Sequence, residues 1–133
     1  MAVKSYSVLI NNKINEFNKV INVDPDKSIS IRAFLIGSIS QGVSKISDAL
    51  LSEDVFSTIN CLRKLNCKII KKSKNEYEVF GKGLGSYYAK KNTLLNLGNS
   101  GTGLRLISSI ISTTPNLEVN LTGDSSLKKK KYV

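Results

Sequence analysis

Leu97-Gly98-Asn99-Ser100-Gly101-Thr102-Gly103-Leu104-Arg105 joins the end of one apolar run to the start of another with a different period. Leu94 to Leu97 is expected to be a short buried strand. Gly101 or Thr102 to Thr113 has the 3.6-residue spacing of a helix. The glycines between them permit close backbone approach and positive φ. A helix start at this point offers unpaired N–H groups and the positive end of the helix dipole, which together attract an anion. Arg105 follows Gly101 by four positions, so it can lie above the same helix end and add a planar donor. The same residues also fit a glycine-rich turn with an N-cap and a surface arginine. They are not a Walker A loop, since Gly-Lys-Ser/Thr is absent, and they do not fit G-x-G-x-x-G with a downstream acid.

Outward from this junction the pattern keeps switching between periods, so the fold class is α/β (α+β). Tyr6 to Ile10 and Phe17 to Val23 are strand candidates. Asp24-Pro25-Asp26 ends the second, because proline cannot donate to a ladder and favours a turn. Ser28 to Gln41 reads as a helix with Ile29, Ala33, Leu35, Ile36 and Ile39 on its apolar side, Asp26 or Ser28 as cap, and Gly42 at the C-terminal glycine position. Gly37 inside it costs about 1 kcal/mol relative to alanine, which points to close packing there. Val43 to Leu51 is a strand and a turn. Ser52 opens a second helix with Glu53 and Asp54 in its positive first turn and Val55, Ile59, Leu62 and Leu65 as the buried stripe. Cys67 to Lys72 and Tyr77 to Gly81 form a hairpin around Ser73 to Glu76. Leu117 to Leu121 is a final strand, ending at Thr122-Gly123-Asp124, and is expected to leave an exposed edge prone to association. The junctions at Asp24–Ser28 and Gly98–Thr102 share one design, strand, polar loop and helix start, as in a repeated unit.

A chain of 133 residues suits one compact domain. Nothing approaches the roughly 18 uninterrupted apolar residues of a membrane span. Asn11, Asn12 and Lys13 interrupt any signal-peptide core, so a cytoplasmic location is expected. Cys61 and Cys67 are the only cysteines and there is no histidine. Their spacing fits no zinc site, and both are expected to be reduced, Cys61 buried on a helix and Cys67 near a strand start. The net charge is +10, with 20 basic against 10 acidic residues. Lys68, Lys71, Lys72 and Lys74 crowd the hairpin, Lys90 and Lys91 a turn, and Lys128 to Lys131 the last residues. No stacking aromatics interleave them, so solvated surface lysine is favoured over a polyanion groove.

A second anion-suited segment is Asp26-Lys27-Ser28-Ile29-Ser30-Ile31-Arg32. A lysine charge, a serine hydroxyl and an arginine fork near one helix N-terminus suit a phosphorylated or carboxylated ligand. Taken with Gly98-Asn99-Ser100-Gly101-Thr102…Arg105 and Thr122-Gly123-Asp124-Ser125-Ser126-Leu127, in that order, it resembles the 5-enolpyruvylshikimate-3-phosphate (EPSP) synthase family. Asp48 to Val55 also looks like that family's link into its second helix, and the resemblance covers residues 17 to 131. The UDP-N-acetylglucosamine enolpyruvyl transferases share the fold but lack the Gly-Asn-Ser-Gly-Thr segment.

The resemblance implies a β/α-prism fold of repeated βαβαββ units. Residues 1–23 would be the first strands of a discontinuous domain, and 24–133 an incomplete second one. It implies transfer of the carboxyvinyl group of phosphoenolpyruvate to the 5-hydroxyl of shikimate 3-phosphate, without metal or organic cofactor. Full-length members are usually monomeric, with no nucleic-acid or membrane partner. Lys27 would contact both substrates, Ser28 and Arg32 would bind shikimate 3-phosphate, and Gly101 and Lys130 would face phosphoenolpyruvate. Asn99, Thr102 and Arg105 would shape the loop, and no catalytic proton-transfer group is assigned in this chain. Two departures stand out. Pro25 replaces a usual glycine and restricts that loop to negative φ. Lys130 occupies the place of an arginine and offers charge without the planar fork. A complete family enzyme is about three times as long, so a truncated portion, inactive alone, is the expectation, whether natural, a cloning choice or the result of a frameshift in the lysine run. The alternative is a stand-alone basic α/β module that binds anions or nucleic acid without catalysis.

Overall fold

Val55, Ile59 and Leu62 recur at helical spacing, and in the computed structural model, which describes residues 7–9, 11 and 18–129, they are sealed from solvent. They line one side of a helix at Glu53–Lys64 that follows a helix at Lys27–Ile39 and a strand at Gln41–Ile46. We call these three elements α2, α1 and β1. Burying each such side chain contributes about 1.5–3 kcal/mol. Asn66, at φ 65°, takes the left-handed conformation that closes α2.

Two further strands, β2 (Lys68–Lys71) and β3 (Tyr77–Lys82), form the expected hairpin. β3 is central in an antiparallel sheet of order β1-β3-β2. The remaining elements are β4 (Thr93–Asn96), α3 (Gly101–Ile111), β5 (Val119–Thr122) and α4 (Ser125–Lys129). β4 and β5 pair in parallel, with Leu95 opposite Leu121, and α3 forms the crossover between them. α1 packs on β1 and β3 and against α2 and α3, while α2 also reaches β2 and β4. The core is mainly aliphatic: Ile31, Leu35, Ile59, Leu62, Val79, Leu95, Leu97 and Ile107 are fully enclosed, together with the ring of Phe34. Phe34 meets Tyr77 edge-on at 5.3 Å.

α1 corrects the expected apolar side in part. Leu35 is buried and Ala33 and Ile39 pack against the core as expected, but Ile29 is 66% and Ile36 60% exposed, and Ser30, Ile31, Phe34, Gly37 and Ser38 face inward. Apolar residues surround this helix, so their spacing alone does not select a face. Small residues select it instead. A Cβ on Gly37 would sit 3.2 Å from the Ser44 Cβ, and one on Gly81 would collide with the carbonyls of Gly37 and Ser40. Helix and sheet thus approach at backbone distance, as the unusual glycine in α1 implies. Gly42 does not cap α1: Ser40 does, and Gly42 is already in β1 at φ 92°.

The strand expected over 17–23 is not formed in its described part, 18–23, where Val20, Ile21 and Val23 are exposed. Among the described residues no strand pairs with it, and a lone strand leaves its backbone groups unpaired. The first strand–loop–helix junction is therefore only a loop and a helix here. Of the candidate strand at 6–10, the described residues 7–9 form no strand, and Val8 and Leu9 are exposed. At the other end, α4 stands where only a turn and a lysine run are expected. Asp124 Oδ1 accepts from the Leu127 N–H at 2.8 Å, and Leu127 is buried as the anchor of that turn.

Candidate functional site

Asp26 starts α1. Its Oδ1 accepts the Ile29 N–H at 2.7 Å, and its carbonyl accepts the Ser30 N–H at 3.0 Å. The carboxylate satisfies an orphan donor and complements the helix dipole, which identifies Asp26, not Ser28, as the cap. Buried Ser30 donates to the Asp26 carbonyl at 2.8 Å and accepts from the Leu50 N–H at 2.9 Å. That pair ties the segment entering α2 to the start of α1.

Lys27 reaches across this tie. Its Nζ lies 2.7 Å from Asp54 Oδ2, with the lysine side chain 48% exposed and the aspartate 10%. Ser28 is half-buried and Arg32 exposed. The described residues give the Arg32 guanidinium no ion-pair partner.

The second junction is built from backbone groups and the short side chains that hold them. Gly98 sits at φ 59°, donates its N–H to Asn96 Oδ1 at 2.9 Å, and accepts from the Asp124 N–H at 2.8 Å. Ser100, 1% exposed, caps α3 by accepting the Gly103 N–H at 3.1 Å. A Cβ on Gly103 would lie 2.8 Å from Ser100 Oγ and 3.1 Å from Thr58 Oγ1, and one on Gly98 would lie 3.3 Å from Ser57 Oγ. Both glycines are therefore needed for the loop to seat against α2. Gly101 and Thr102 are half-buried in the first turn, while Asn99 and Arg105 are exposed.

α2 is what relates the two junctions. Its first turn supplies Asp54 to Lys27, and its next residues, Ser57 and Thr58, flank the start of α3. Asp54 was legible only as a first-turn acid complementing the dipole. Its pairing with Lys27 joins two helices and leaves no local pattern. Ser100 was legible as part of a capping signal, but its burial was not. Lys130 lies outside the described residues.

The other features are acidic, or have part of their charge committed elsewhere. A hollow of about 590 Å³ behind Asp26 is lined by Asp24, Asp26 and Asp48 with Ile29, Ala33 and Ile46, an acidic and apolar wall. A second, of about 520 Å³, lies between α2 and β4, where Arg63 and Lys64 already donate to the Ile69 and Leu94 carbonyls. In the hairpin, Lys72 lies 3.6 Å from Glu78 and Lys68 sits over the Phe80 ring, so part of its charge is engaged. Cys61 and Cys67 are free and buried. Burial pushes the Cys61 thiol up to about 11, so it is a core group and no nucleophile at neutral pH. Among the described residues no cluster of three or more His, Cys, Asp or Glu could hold a metal ion, and no helix is long and apolar enough to cross a membrane.

The family model described as EPSP synthase (3-phosphoshikimate 1-carboxyvinyltransferase) matches residues 11–130. The 3-phosphoshikimate 1-carboxyvinyltransferase of Thermoanaerobacter sp. (strain X514) is 47% identical over 111 residues, which are 84% of this chain and 25% of that protein. Its namesake in Bacillus cytotoxicus is 42% identical over 113 residues, 85% of this chain and 26% of that one. The solved EPSP synthase from Acinetobacter baumannii superposes with a TM-score of 0.73 at 33% identity, over 83% of this chain and 24% of that structure. The chain thus spans about a quarter of the length of the relatives it matches.

Proposed function

The chain belongs to the EPSP synthase (3-phosphoshikimate 1-carboxyvinyltransferase) family, and from that premise we propose that it carries one part of a site for two anionic substrates, shikimate 3-phosphate and phosphoenolpyruvate. In the complete site the carboxyvinyl group of phosphoenolpyruvate passes to the 5-hydroxyl of shikimate 3-phosphate through a tetrahedral adduct, with release of phosphate. Lys27 meets both substrates, and Ser28 and Arg32 hold shikimate 3-phosphate. The backbone at Gly101, in a loop shaped by Asn99, Thr102 and Arg105, approaches phosphoenolpyruvate, with Lys130 adding charge. Fixed cations and helix N–H groups suit such a reaction, because they are in place before charge develops on the adduct.

One observation carries this reading: α2 lies against both helix starts, with Asp54 on Lys27 and Ser57 and Thr58 on the α3 loop. Two anion-suited helix ends, far apart in sequence, are thereby referenced to one rigid element. As part of the same proposal, residues 24–133 form an incomplete domain and 1–23 contribute to another. The protein works in the cytoplasm, and nucleic acid is not its ligand.

Titration calorimetry on the 133-residue chain tests the reading. Shikimate 3-phosphate is expected to bind saturably, and Lys27→Ala and Arg32→Ala each to weaken it about tenfold or more, as loss of a charge-assisted contact should. With phosphoenolpyruvate added, the chain alone is expected to release no phosphate. Binding of a short oligonucleotide with steep salt dependence, and none of shikimate 3-phosphate, would overturn the proposal.

A further inference from the structure

We propose that Asp54 is a positioning residue for Lys27, fixing the lysine ammonium relative to the loop at the start of α3. The inference rests on the reading of Lys27 as a ligand-binding group and adds to it the group that aims the lysine. A lysine ammonium rides on a flexible four-carbon stem, so an unanchored one spreads over many rotamers. Here Asp54 Oδ2 holds it at 2.7 Å. The asymmetry of burial gives the pair a direction: the carboxylate is enclosed, while about half the lysine side chain stays open to solvent. An ammonium has three donors, so one can face the carboxylate while others remain for a ligand on the open side.

Asp54 is itself held. It lies in the first turn of α2, where the helix dipole favours a carboxylate. Its carbonyl accepts from Thr58 Oγ1 at 3.0 Å, and Thr58 is the residue against which Gly103 of α3 is packed. The turn that fixes Asp54 therefore also seats the second anion-suited loop. Movement of α2 would shift both together and preserve their spacing.

The sign of the effect separates positioning from bulk charge. Asp54→Asn removes a negative charge near an anion site, so electrostatics alone would tighten shikimate 3-phosphate binding. Loss of positioning weakens it, by about tenfold for a misplacement on the ångström scale. The experiment titrates shikimate 3-phosphate into the full chain and its Asp54→Asn, Asp54→Glu, Lys27→Ala and Lys27→Ala/Asp54→Asn variants. Circular dichroism accompanies each titration. Asp54→Glu keeps the charge but displaces the ammonium by about one methylene, so affinity about threefold weaker at an unchanged thermal midpoint is expected. That variant decides the matter if Asp54→Asn fails to fold. In the Lys27→Ala background, Asp54→Asn is expected to change affinity by less than about twofold, since the group it aims is gone. If the wild type binds and Lys27→Ala weakens it while the Asp54 variants bind equally or more tightly, the positioning role is overturned and the site stands. If the wild type does not bind, or Lys27→Ala is without effect, the site falls and the positioning role with it.

Discussion

The starts of α1 and α3 both suit anions, yet they are made of different material. At α1 the cationic groups are side chains, a lysine paired with Asp54 and an arginine open to solvent, beside an aspartate that already caps the helix. At α3 the anion-suited groups are backbone amides in a loop held by a left-handed glycine, a buried serine whose hydroxyl caps the helix, and a second glycine pressed against Thr58. Charged side chains on long stems can be replaced with little effect on the fold but with direct effect on a ligand. A loop seated at backbone distance tolerates no added atom, so substitutions there act first on stability.

The largest effect should abolish the contrast altogether. Phe34 is enclosed between α1 and the sheet, and Phe34→Ala is expected to cost about 3–5 kcal/mol in a denaturant titration, removing ligand response at both helix starts. Gly103→Ala sharpens the contrast from the α3 side. Its Cβ must displace Ser100 Oγ or Thr58 Oγ1, and a loss of about 1–3 kcal/mol is expected despite alanine's better helix propensity. Asp26→Ala probes the α1 side and should cost about 1 kcal/mol, the usual value of an N-cap. A Gly103→Ala variant as stable as the wild type would erase the distinction between a built loop and a displayed set of charges.

The smallest effect concerns α2. Burial raises the Cys61 thiol from 9.0 to about 11. Between those values the unfolded chain has released its proton while the folded chain keeps it. Stability from this group is therefore complete below pH 9 and is lost as pH rises through about 11. Cys61→Ala should flatten that part of the thermal midpoint's pH dependence. An unchanged slope would mean that the thiol is solvated.

The same contrast explains what could be read without coordinates. α2 was legible because Val55, Ile59, Leu62 and Leu65 follow one stripe, and Phe56, 43% exposed, is the one large apolar residue of the helix that stands off it. α1 was legible as a helix, but its buried face was not, since small residues at Ser30, Gly37 and Ser38 mark it, with Ile29 and Ile36 pointing away. The hairpin followed from apolar runs bounded by turn residues, and β4 from a short apolar run, although Leu94, expected buried, is 51% exposed. α4 was hidden by its lysines, although Asp124 and Leu127 hold its cap and anchor. At the site, residues contiguous in sequence were found at both helix starts. Asp54, which joins them to α2, was invisible as a partner because ion pairs between helices leave no periodic trace.

The central claim is that the two helix starts serve one ligand site. Backbone amide shifts of the isotope-labelled chain, followed as shikimate 3-phosphate and then phosphoenolpyruvate are added, test it most directly. The account predicts that residues 27–32 and 98–105 both respond, each substrate saturating with one common midpoint across the segments it moves. Shifts confined to the basic hairpin at 68–74, or separate midpoints at the two helix starts for a single substrate, would contradict it.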